Sequence, residues 1–416
     1  MQPQRIFLAM AAGVAVANVY FAQTLLATMG ADLGIAPGTV GAFVTVTQLG
    51  YGLGLFFLVP LGDLVDRRRL IRAQFVLLAI ALALVGTAHN AAMLLIGLAA
   101  VGLLAVVTQS LVAFAASLSA PAERGRAVGT VTSGIVIGIL LARTTSGLLT
   151  DLAGWRSVYL ISCALSLLIA LTLFKAPQQQ KANLSYYALL RSTATVWTGE
   201  PVFRKRATLA FFVFAAFSTL WSSVVLPLTD QSLSHTEIGA FGLIAAAGAI
   251  AAAPAGRLND QGRGQLVTIS ASVLLATSWL LIVWTPHSIW ALAIGAIVLD
   301  LAVQTIHVSN QSRIYELRPE AGSRLIGGYM VFYSVGSALG AILSTALYSR
   351  CGWTAVCLLG ASFSLGALAT AVHRDSERGE SQQSCEPGRA GGADGVDDSA
   401  AGECAQSDRC VEHSDQ

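Results

Sequence analysis

Apolar stretches of similar length follow one another along most of this chain, which is 416 residues long, 55% hydrophobic and 12% charged. A helix needs about 20 apolar residues to cross the hydrocarbon core of a bilayer. Lipid offers no hydrogen bonds to the backbone, and the alternating pattern of barrel strands is nearly absent, so each stretch is predicted to be a helix. The twelve predicted transmembrane spans lie near residues 6–28, 38–61, 70–88, 91–117, 127–149, 156–174, 208–229, 236–256, 266–284, 288–312, 325–347 and 354–372.

Lysine and arginine residues are distributed unequally among the predicted loops. Eighteen lie at the N-terminus or in even-numbered loops, whereas Arg156 and Arg350 alone lie in odd-numbered loops. Because basic loops stay in the cytoplasm, both termini are predicted to be cytoplasmic. The expected location is a cell membrane, with a bacterial inner membrane favoured. A signal peptide cleaved after Ala15-Val16-Ala17 is the alternative for the N-terminus, but the apolar run continues past that point.

Four segments are predicted. Residues 1–174 form a first six-helix bundle, 175–206 a polar and basic cytoplasmic linker, and 207–373 a second six-helix bundle. Residues 374–416 carry four arginines against eleven acidic residues and few large apolar side chains. This tail is predicted to be a disordered, acidic cytoplasmic segment.

An internal repeat relates the two bundles. Residues 60–66 (PLGDLVD) recur as 254–260 (PAGRLND) at an offset of 194, and Gly154-Trp155 recurs as Gly352-Trp353 at an offset of 198. Transporters built from parallel repeats bind substrate near the membrane midplane and rock their halves against each other. The predicted fold is therefore an all-α membrane protein, with twelve transmembrane helices in two six-helix pseudo-symmetric bundles.

Small residues form a stripe in each bundle. In span 5 they fall at every fourth position from Thr130 to Ser146, and span 11 keeps this spacing from Gly328 to Ser344, interrupted by Phe332. Such stripes allow neighbouring helices to approach closely. We predict close helix packing along both stripes, which would also be seams where the halves can slide or hinge.

The loop between spans 2 and 3, residues 62–69 (GDLVDRRR), resembles the major facilitator signature G-x-L-x-D-R-x-G-R-R, and residues 256–263 resemble its second copy. The second glycine of the signature is absent, and the basic run is compressed. We predict a latch in which Asp66 pairs with arginines or a helix terminus of the neighbouring half in the outward-facing state. The alternative, a solvated basic loop, explains the arginines but not the repeated glycine and aspartate. The latch candidates are Gly62, Asp66, Arg67, Gly256, Asp260 and Arg263.

Nearly the whole membrane part of the chain resembles the drug:proton antiporter branch of the major facilitator superfamily and its arabinose-efflux-like relatives. The segments that carry this resemblance are 18–23 in span 1, 140–143 in span 5, and 299–300 with 307–311 in span 10. In span 5, Ile139 stands where the antiporter signature has proline, and Ala142-Arg143 replaces its Gly-Gly pair. The resemblance implies proton-coupled efflux of a small molecule by alternating access. A substrate:proton symporter or a uniporter for a small metabolite is the alternative.

Two normally charged residues, Arg143 and Asp300, lie deep inside predicted spans. Each costs about 2.5 to 3.5 kcal/mol at a helix centre, so each should face a cavity or a partner. Asp300 lies about 16 Å into span 10, close to the midplane, and Gln304, His307 and Gln311 share its helix face. Arg143 lies nearer the outer end of span 5, where a long side chain can reach the interface. The sequence leaves open whether the two charges pair.

We predict that Asp300 exchanges a proton, aided by His307. A low-dielectric cavity favours the neutral form of a carboxyl, which a proton carrier requires. The alternative is a static polar cluster that holds span 10 to its neighbours. The candidates for the substrate cavity are Asn18, Tyr20, Gln23, Gln109, Arg143, Gln304 and Asn310.

Other function classes lack their sequence signatures. There is no H-E-x-x-H, G-x-S-x-G or phosphate-binding loop, so a polytopic membrane enzyme is disfavoured. No charged ring or filter loop indicates a channel, and no cysteine or histidine spacing indicates a disulfide framework or a zinc site. No cofactor or metal is predicted. The expected partners are a small-molecule substrate, protons and the lipid bilayer, without nucleic acid, and the chain is expected to act as a monomer.

Overall fold

The computed structural model describes residues 2–120, 123–173, 186–187, 190–191, 195, 199–231, 233–245, 258, 261–317 and 322–373, and these contain helices and turns but no strand. The predicted tail, 374–416, and most of the predicted linker lie outside them. The helices of the first half are α1 (Gln2–Asp32), α2 (Gly41–Phe57), α3 (Leu61–Leu64), α4 (Arg67–Gly86), α5 (Ala91–Ala105), α6 (Val107–Ser117), α7 (Arg124–Ala153) and α8 (Trp155–Thr172). The helices of the second half are α9 (Pro201–Ser223), α10 (Val225–Asp230), α11 (His235–Ala240), α12 (Gly264–Ile282), α13 (Ile289–Leu317) and α14 (Gly322–Val372), with 3-10 turns at Pro37–Thr39 and Phe241–Ala245.

Ten helical stretches among the described residues are long and apolar enough to cross a membrane. The last of them, Leu325–Val372, contains predicted spans 11 and 12, which meet at Gly352. Predicted span 8 is described only up to residue 245. A twelve-helix fold accounts for all of these stretches, as the sequence predicts.

The internal repeat is visible in the backbone. Gly154 and Gly352 have φ angles of 77° and 74°, which glycine adopts far more readily than other residues. Each ends one long helix and allows the next to begin at the following tryptophan. A Cβ atom on Gly138 would collide with Gly13, and the residues 198 positions later, Gly336 and Phe211, are related in the same way.

The small-residue stripes thus pack helices within each half, α7 on α1 and α14 on α9. Close packing along the stripes is confirmed. The contacts between the halves involve other residues, so the stripes are not the seams along which the halves meet. At the start of α7, Arg5 of α1 binds Glu123 and holds the pKa of that carboxyl below its ordinary value.

The two halves meet on one side of the membrane. We call the side at which α1 begins, which carries Arg67–Arg69, the basic face, and the other side the opposite face. At the opposite face α7 packs against α11 and the turn that follows it, and α2 packs against the first part of α14. At the basic face, a Cβ atom on Gly125, Gly129 or Gly327 would meet no atom within 4 Å. Over the described residues, the two halves therefore pack together at the opposite face, whereas these three glycines of the basic face have no close neighbour.

Candidate functional site

Two opposite charges from different halves meet through one tryptophan. The guanidinium carbon of Arg143, on α7, lies 3.8 Å from the centre of the Trp221 ring on α9. The indole Nε1 of Trp221 donates a hydrogen bond to Oδ1 of Asp300, on α13, at 3.0 Å. All three side chains are buried, and the two charges interact electrostatically. We call Arg143, Trp221 and Asp300 the charge bridge.

The contacts of the charge bridge stabilise two opposite charges inside the membrane. A desolvated cation over an indole face gains about 2 kcal/mol or more, and the indole N–H stabilises the carboxylate. Arg143 belongs to the first half, whereas Trp221 and Asp300 belong to the second. The attraction within the charge bridge therefore also draws the two halves together.

Among the residues that the structure describes, three buried polar atoms of the charge bridge have no hydrogen-bond partner. They are Nε and Nη1 of Arg143 and Oδ2 of Asp300. The remaining guanidinium nitrogen, Nη2, donates to Oε1 of Gln23 at 3.0 Å. A buried polar atom left unsatisfied costs about 1 to 3 kcal/mol. Both charged groups of the charge bridge therefore have atoms that can form hydrogen bonds with a ligand.

Aromatic side chains extend from the charge bridge along α9. Phe217 and Phe214 lie four and seven residues before Trp221, on the same side of the helix. Phe214 packs on Tyr333 with 3.9 Å between ring centres, and the hydroxyl of Tyr333 lies 2.7 Å from that of Tyr20 on α1. The tyrosine pair therefore forms a second contact between the halves, next to an aromatic surface.

The polar face of α13 continues toward the basic face, as predicted. His307 lies seven residues after Asp300, or about 10 Å along the helix axis. Its Nδ1 is 2.8 Å from the hydroxyl of Tyr329, and its Nε2 is 3.1 Å from Nε2 of Gln311. Gln304, half-buried, lies between His307 and Asp300 along the helix. Asp300 and His307 are thus separate polar centres on one face of α13.

Three other predicted cavity residues have partners within their own half. Asn18 is fully buried and accepts a hydrogen bond from Ser162 of α8 at 2.6 Å. Asn310 is also fully buried and accepts one from Arg206 of α9 at 3.1 Å. Both residues hold helices together, and we remove them from the proposed cavity. Gln109 is half-buried, and its amide is 3.5 Å from a tyrosine hydroxyl of α2.

The predicted latch loop is folded onto its own half. Asp66 accepts a hydrogen bond from the backbone N–H of Arg69 at 2.8 Å and caps α4. Arg67 donates from Nε to the carbonyl of Gly62 at 2.9 Å, and from Nη1 to the carbonyl of Ala113 on α6 at 3.3 Å. These contacts fasten the loop to α4 and α6.

The second copy of the latch is only partly described. Gly256 and Asp260 lie outside the described residues, and Arg263 directly precedes α12. Among the described residues, Asp66 makes its hydrogen bond within the first half. Its predicted contact with the neighbouring half therefore stays a prediction for the outward-facing state.

A contact between the halves that sequence analysis missed lies at the opposite face. The Asp151 carboxylate, near the end of α7, accepts from the backbone N–H and hydroxyl of Thr236 at 2.7 and 2.6 Å. It also lies 2.7 Å from Nδ1 of His235, whose Nε2 is 2.6 Å from the hydroxyl of Thr28 on α1. A carboxylate is stabilising at a helix N-terminus. We call Asp151, His235, Thr236 and Thr28 the opposite-face clamp.

One side of α7 carries residues of both the charge bridge and the opposite-face clamp. Arg143, Gly147 and Asp151 follow at every fourth position, so they share a helix face. A Cβ on Gly147 would overlap the carbonyl of His235, and the stem of Arg143 lies against Gly242. Because these contacts lie on one helix, a displacement of α7 at the charge bridge also moves it at the clamp.

Replacing Gly147 with alanine should open the opposite face, because the added methyl group would overlap the backbone of α11. Spin labels at Leu152 and Ala240, which are exposed on α7 and α11, should give a longer distance by double electron–electron resonance. Gly129→Ala is the matched control on the same helix, since a Cβ there meets nothing. An unchanged distance in Gly147→Ala would contradict the close contact of α7 with α11.

Replacing Asp151 with alanine should also open the opposite face, since it removes the carboxylate that accepts from Thr236 and contacts His235. A hydrogen bond to a charged group contributes about 1.5 to 3 kcal/mol, so the open population should rise at least about tenfold, measured with the same label pair. Asp32→Ala is the control, because Asp32 binds Arg156 within the first half. Equal effects of the two substitutions would refute a specific role of the clamp.

The bundle consists of two repeated halves with a charged site between them near mid-membrane. This is the architecture of a transporter. Residues 8–228 and 206–390 match the Major Facilitator Superfamily. The chain belongs to that family, and it is a multi-pass membrane transporter and not an enzyme.

Its relatives include bacterial transporters. Over 365 residues it is 42% identical to the transporter YgaY of Escherichia coli O157:H7, covering 86% of this chain and 92% of YgaY. Over 171 residues it is 30% identical to the purine ribonucleoside efflux pump NepI of Escherichia coli O127:H6, covering 38% of this chain and 42% of NepI. The crystal structure of the nucleoside transporter NupG superposes with a TM-score of 0.69 over 88% of this chain and 97% of NupG, at 14% identity, and so shares the fold.

Proposed function

We propose that this transporter exports a small molecule in exchange for protons, by alternating access. The observation that carries the proposal is the charge bridge. Asp300 is buried, its Oδ2 has no partner among the described residues, and its Oδ1 is joined through Trp221 to Arg143 of the other half. A proton on Oδ2 neutralises the carboxylate. A substrate that donates to Oδ2 replaces part of the stabilisation that the carboxylate otherwise receives from Arg143. Either ligand weakens the attraction between the halves.

This weakening provides a reason for obligatory exchange. With Asp300 ionised and no ligand bound, the charge bridge and the opposite-face clamp hold the opposite face closed. Binding of a proton or of a substrate releases the charge bridge and allows the opposite face to open. An empty transporter stays closed there, so protons do not cross without substrate moving the other way.

The orientation follows from the basic loops. The basic face is assigned to the cytoplasm of a bacterial inner membrane, with both termini inside, so the halves pack together on the periplasmic side. Efflux is supported by the resemblance to drug:proton antiporters and by the relative named an efflux pump. A single chain contains both halves and is sufficient for the cycle.

Further residues have proposed roles in the cycle. Gln23 and Tyr20, together with Arg143, contact the substrate at the charge bridge, and Gln109 and Gln304 lie nearer the cytoplasm. His307 relays protons between Asp300 and the basic face. In the outward-facing state, Asp66 and Arg67 latch the basic face closed.

The proposal is tested with purified protein in proteoliposomes loaded with a bacterial metabolite extract. An inward-directed proton gradient is imposed, and the compounds that leave are identified by mass spectrometry. We expect at least one compound to leave faster with the gradient than without it, and a protonophore to remove the difference. Export that is insensitive to the gradient would indicate a uniporter, and acceleration by the reversed gradient a symporter.

A further inference from the structure

The unpartnered atoms of the charge bridge restrict the chemistry of the substrate, and this inference rests on the proposed function. Among the described residues, Nε and Nη1 of Arg143, which together carry three N–H groups, have no acceptor, and Oδ2 of Asp300 has no donor. Arg143 stacks on the face of the Trp221 indole, and Asp300 binds its N–H edge. One indole ring therefore sets the separation between the two groups, which a single small molecule can span. Such a molecule must accept from Arg143 and donate to Asp300.

The charge of the site favours a substrate with no net charge. Arg143 and Asp300 have opposite charges, so the ionised charge bridge is neutral overall. An added net charge at this buried position would have no counter-charge, and uncompensated charges in a membrane interior are strongly disfavoured. A neutral molecule with polar groups on one edge meets both requirements.

The surroundings favour a flat ring. The guanidinium carbon of Arg143 lies 5.7 Å from the centre of the Phe217 ring and 5.8 Å from that of Tyr20. Planar ligands stack well on aromatic faces. We infer that the charge bridge binds an uncharged planar heterocycle that carries an N–H beside a C=O, the lactam edge of nucleobases such as hypoxanthine, guanine and uracil. The C=O accepts from Arg143, and the N–H donates to Asp300.

The test measures binding of tritiated inosine to the purified full-length protein in nanodiscs. Inosine carries a lactam edge, 1-methylinosine lacks its N–H donor, and 2′-deoxyinosine differs only in the sugar. We expect 1-methylinosine to compete at least about tenfold more weakly than inosine, since it loses a hydrogen bond to a charged group. We expect 2′-deoxyinosine to compete nearly as well as inosine.

Substitution separates the lost hydrogen bond from the bulk of the added methyl group. In Asp300→Asn the preference for inosine over 1-methylinosine should shrink, because the anionic acceptor is gone while the steric effect remains. Asp32→Asn, a carboxylate outside the site, should keep the full preference. Thermal stability of each variant confirms that the protein is folded.

Three results would overturn the inference: no saturable inosine binding to the wild-type protein, equal binding of 1-methylinosine, or displacement of inosine by L-arabinose at similar concentrations. Each of these three results is compatible with gradient-driven export of another compound from the metabolite extract. Conversely, selective inosine binding without gradient-dependent export would support the substrate class and contradict proton exchange. The two proposals therefore fail independently.

Discussion

The Asp300→Asn variant should lose proton-driven export and retain counterflow. Asparagine resembles the protonated carboxyl in size and polarity, so the halves can still alternate around bound substrate. It cannot ionise, however, so no proton is carried on the return step. Export of the compound identified from the metabolite extract should fall to its rate without a gradient. Exchange of labelled for unlabelled compound should remain measurable, with a weaker apparent affinity.

The same two assays on Asp32→Asn provide the control, because that carboxylate pairs with Arg156 away from the charge bridge. This variant should resemble the wild type in both. If Asp300→Asn still responded to the proton gradient, Asp300 would not be the coupling residue. Loss of both export and counterflow in a folded Asp300→Asn variant would mean that the carboxylate is needed for substrate movement itself.

The Arg143→Gln variant should show the largest loss of stability. It leaves Asp300 buried without its positive partner, and breaking a buried ion pair by removing one member costs about 3 to 5 kcal/mol. It also removes the stacking on Trp221. Thermal unfolding in detergent should therefore begin at a markedly lower temperature, and transport should be lost.

A second substitution tests whether this loss comes from the charge. The double variant Arg143→Gln with Asp300→Asn should be more stable than Arg143→Gln alone, because the uncompensated carboxylate is gone. Arg156→Gln is the matched control, since that arginine forms a partly exposed ion pair worth about 0 to 1 kcal/mol. Additive losses in the double variant would contradict a coupling between the two charges.

Most of the fold could be predicted because the membrane imposes few solutions. Apolar stretches must be helices, and the two glycine–tryptophan pairs identified positions where one long helix gives way to the next. The charged residues Arg143 and Asp300 were identifiable for the same reason, since a charge in lipid needs a partner. The sequence did not indicate that these two residues take part in one contact, because the residue that joins them, Trp221, is one apolar aromatic side chain among many.

The polar residues were harder to assign. Asn18 and Asn310 need hydrogen-bond partners in the membrane whether they line a cavity or pack between helices, and their spacing does not distinguish the two. The opposite-face clamp joins Asp151 to residues 84 and 85 positions later in the chain. Ordinary polar residues at span ends carry no pattern that predicts such a contact. Only the packing of α7 on α11 brings them together.

The most direct test is the pH dependence of the opposite face in the absence of substrate. Spin labels at Leu152 and Ala240 report its opening in nanodiscs. Acidification should shift the wild-type protein toward longer distances, because a protonated Asp300 no longer attracts Arg143, whereas Asp300→Asn should show the longer distances at every pH. His235 is present in both proteins, so the difference between them belongs to Asp300. A wild-type distribution that is insensitive to pH, or an Asp300→Asn variant that keeps the wild-type response, would contradict the proposed mechanism.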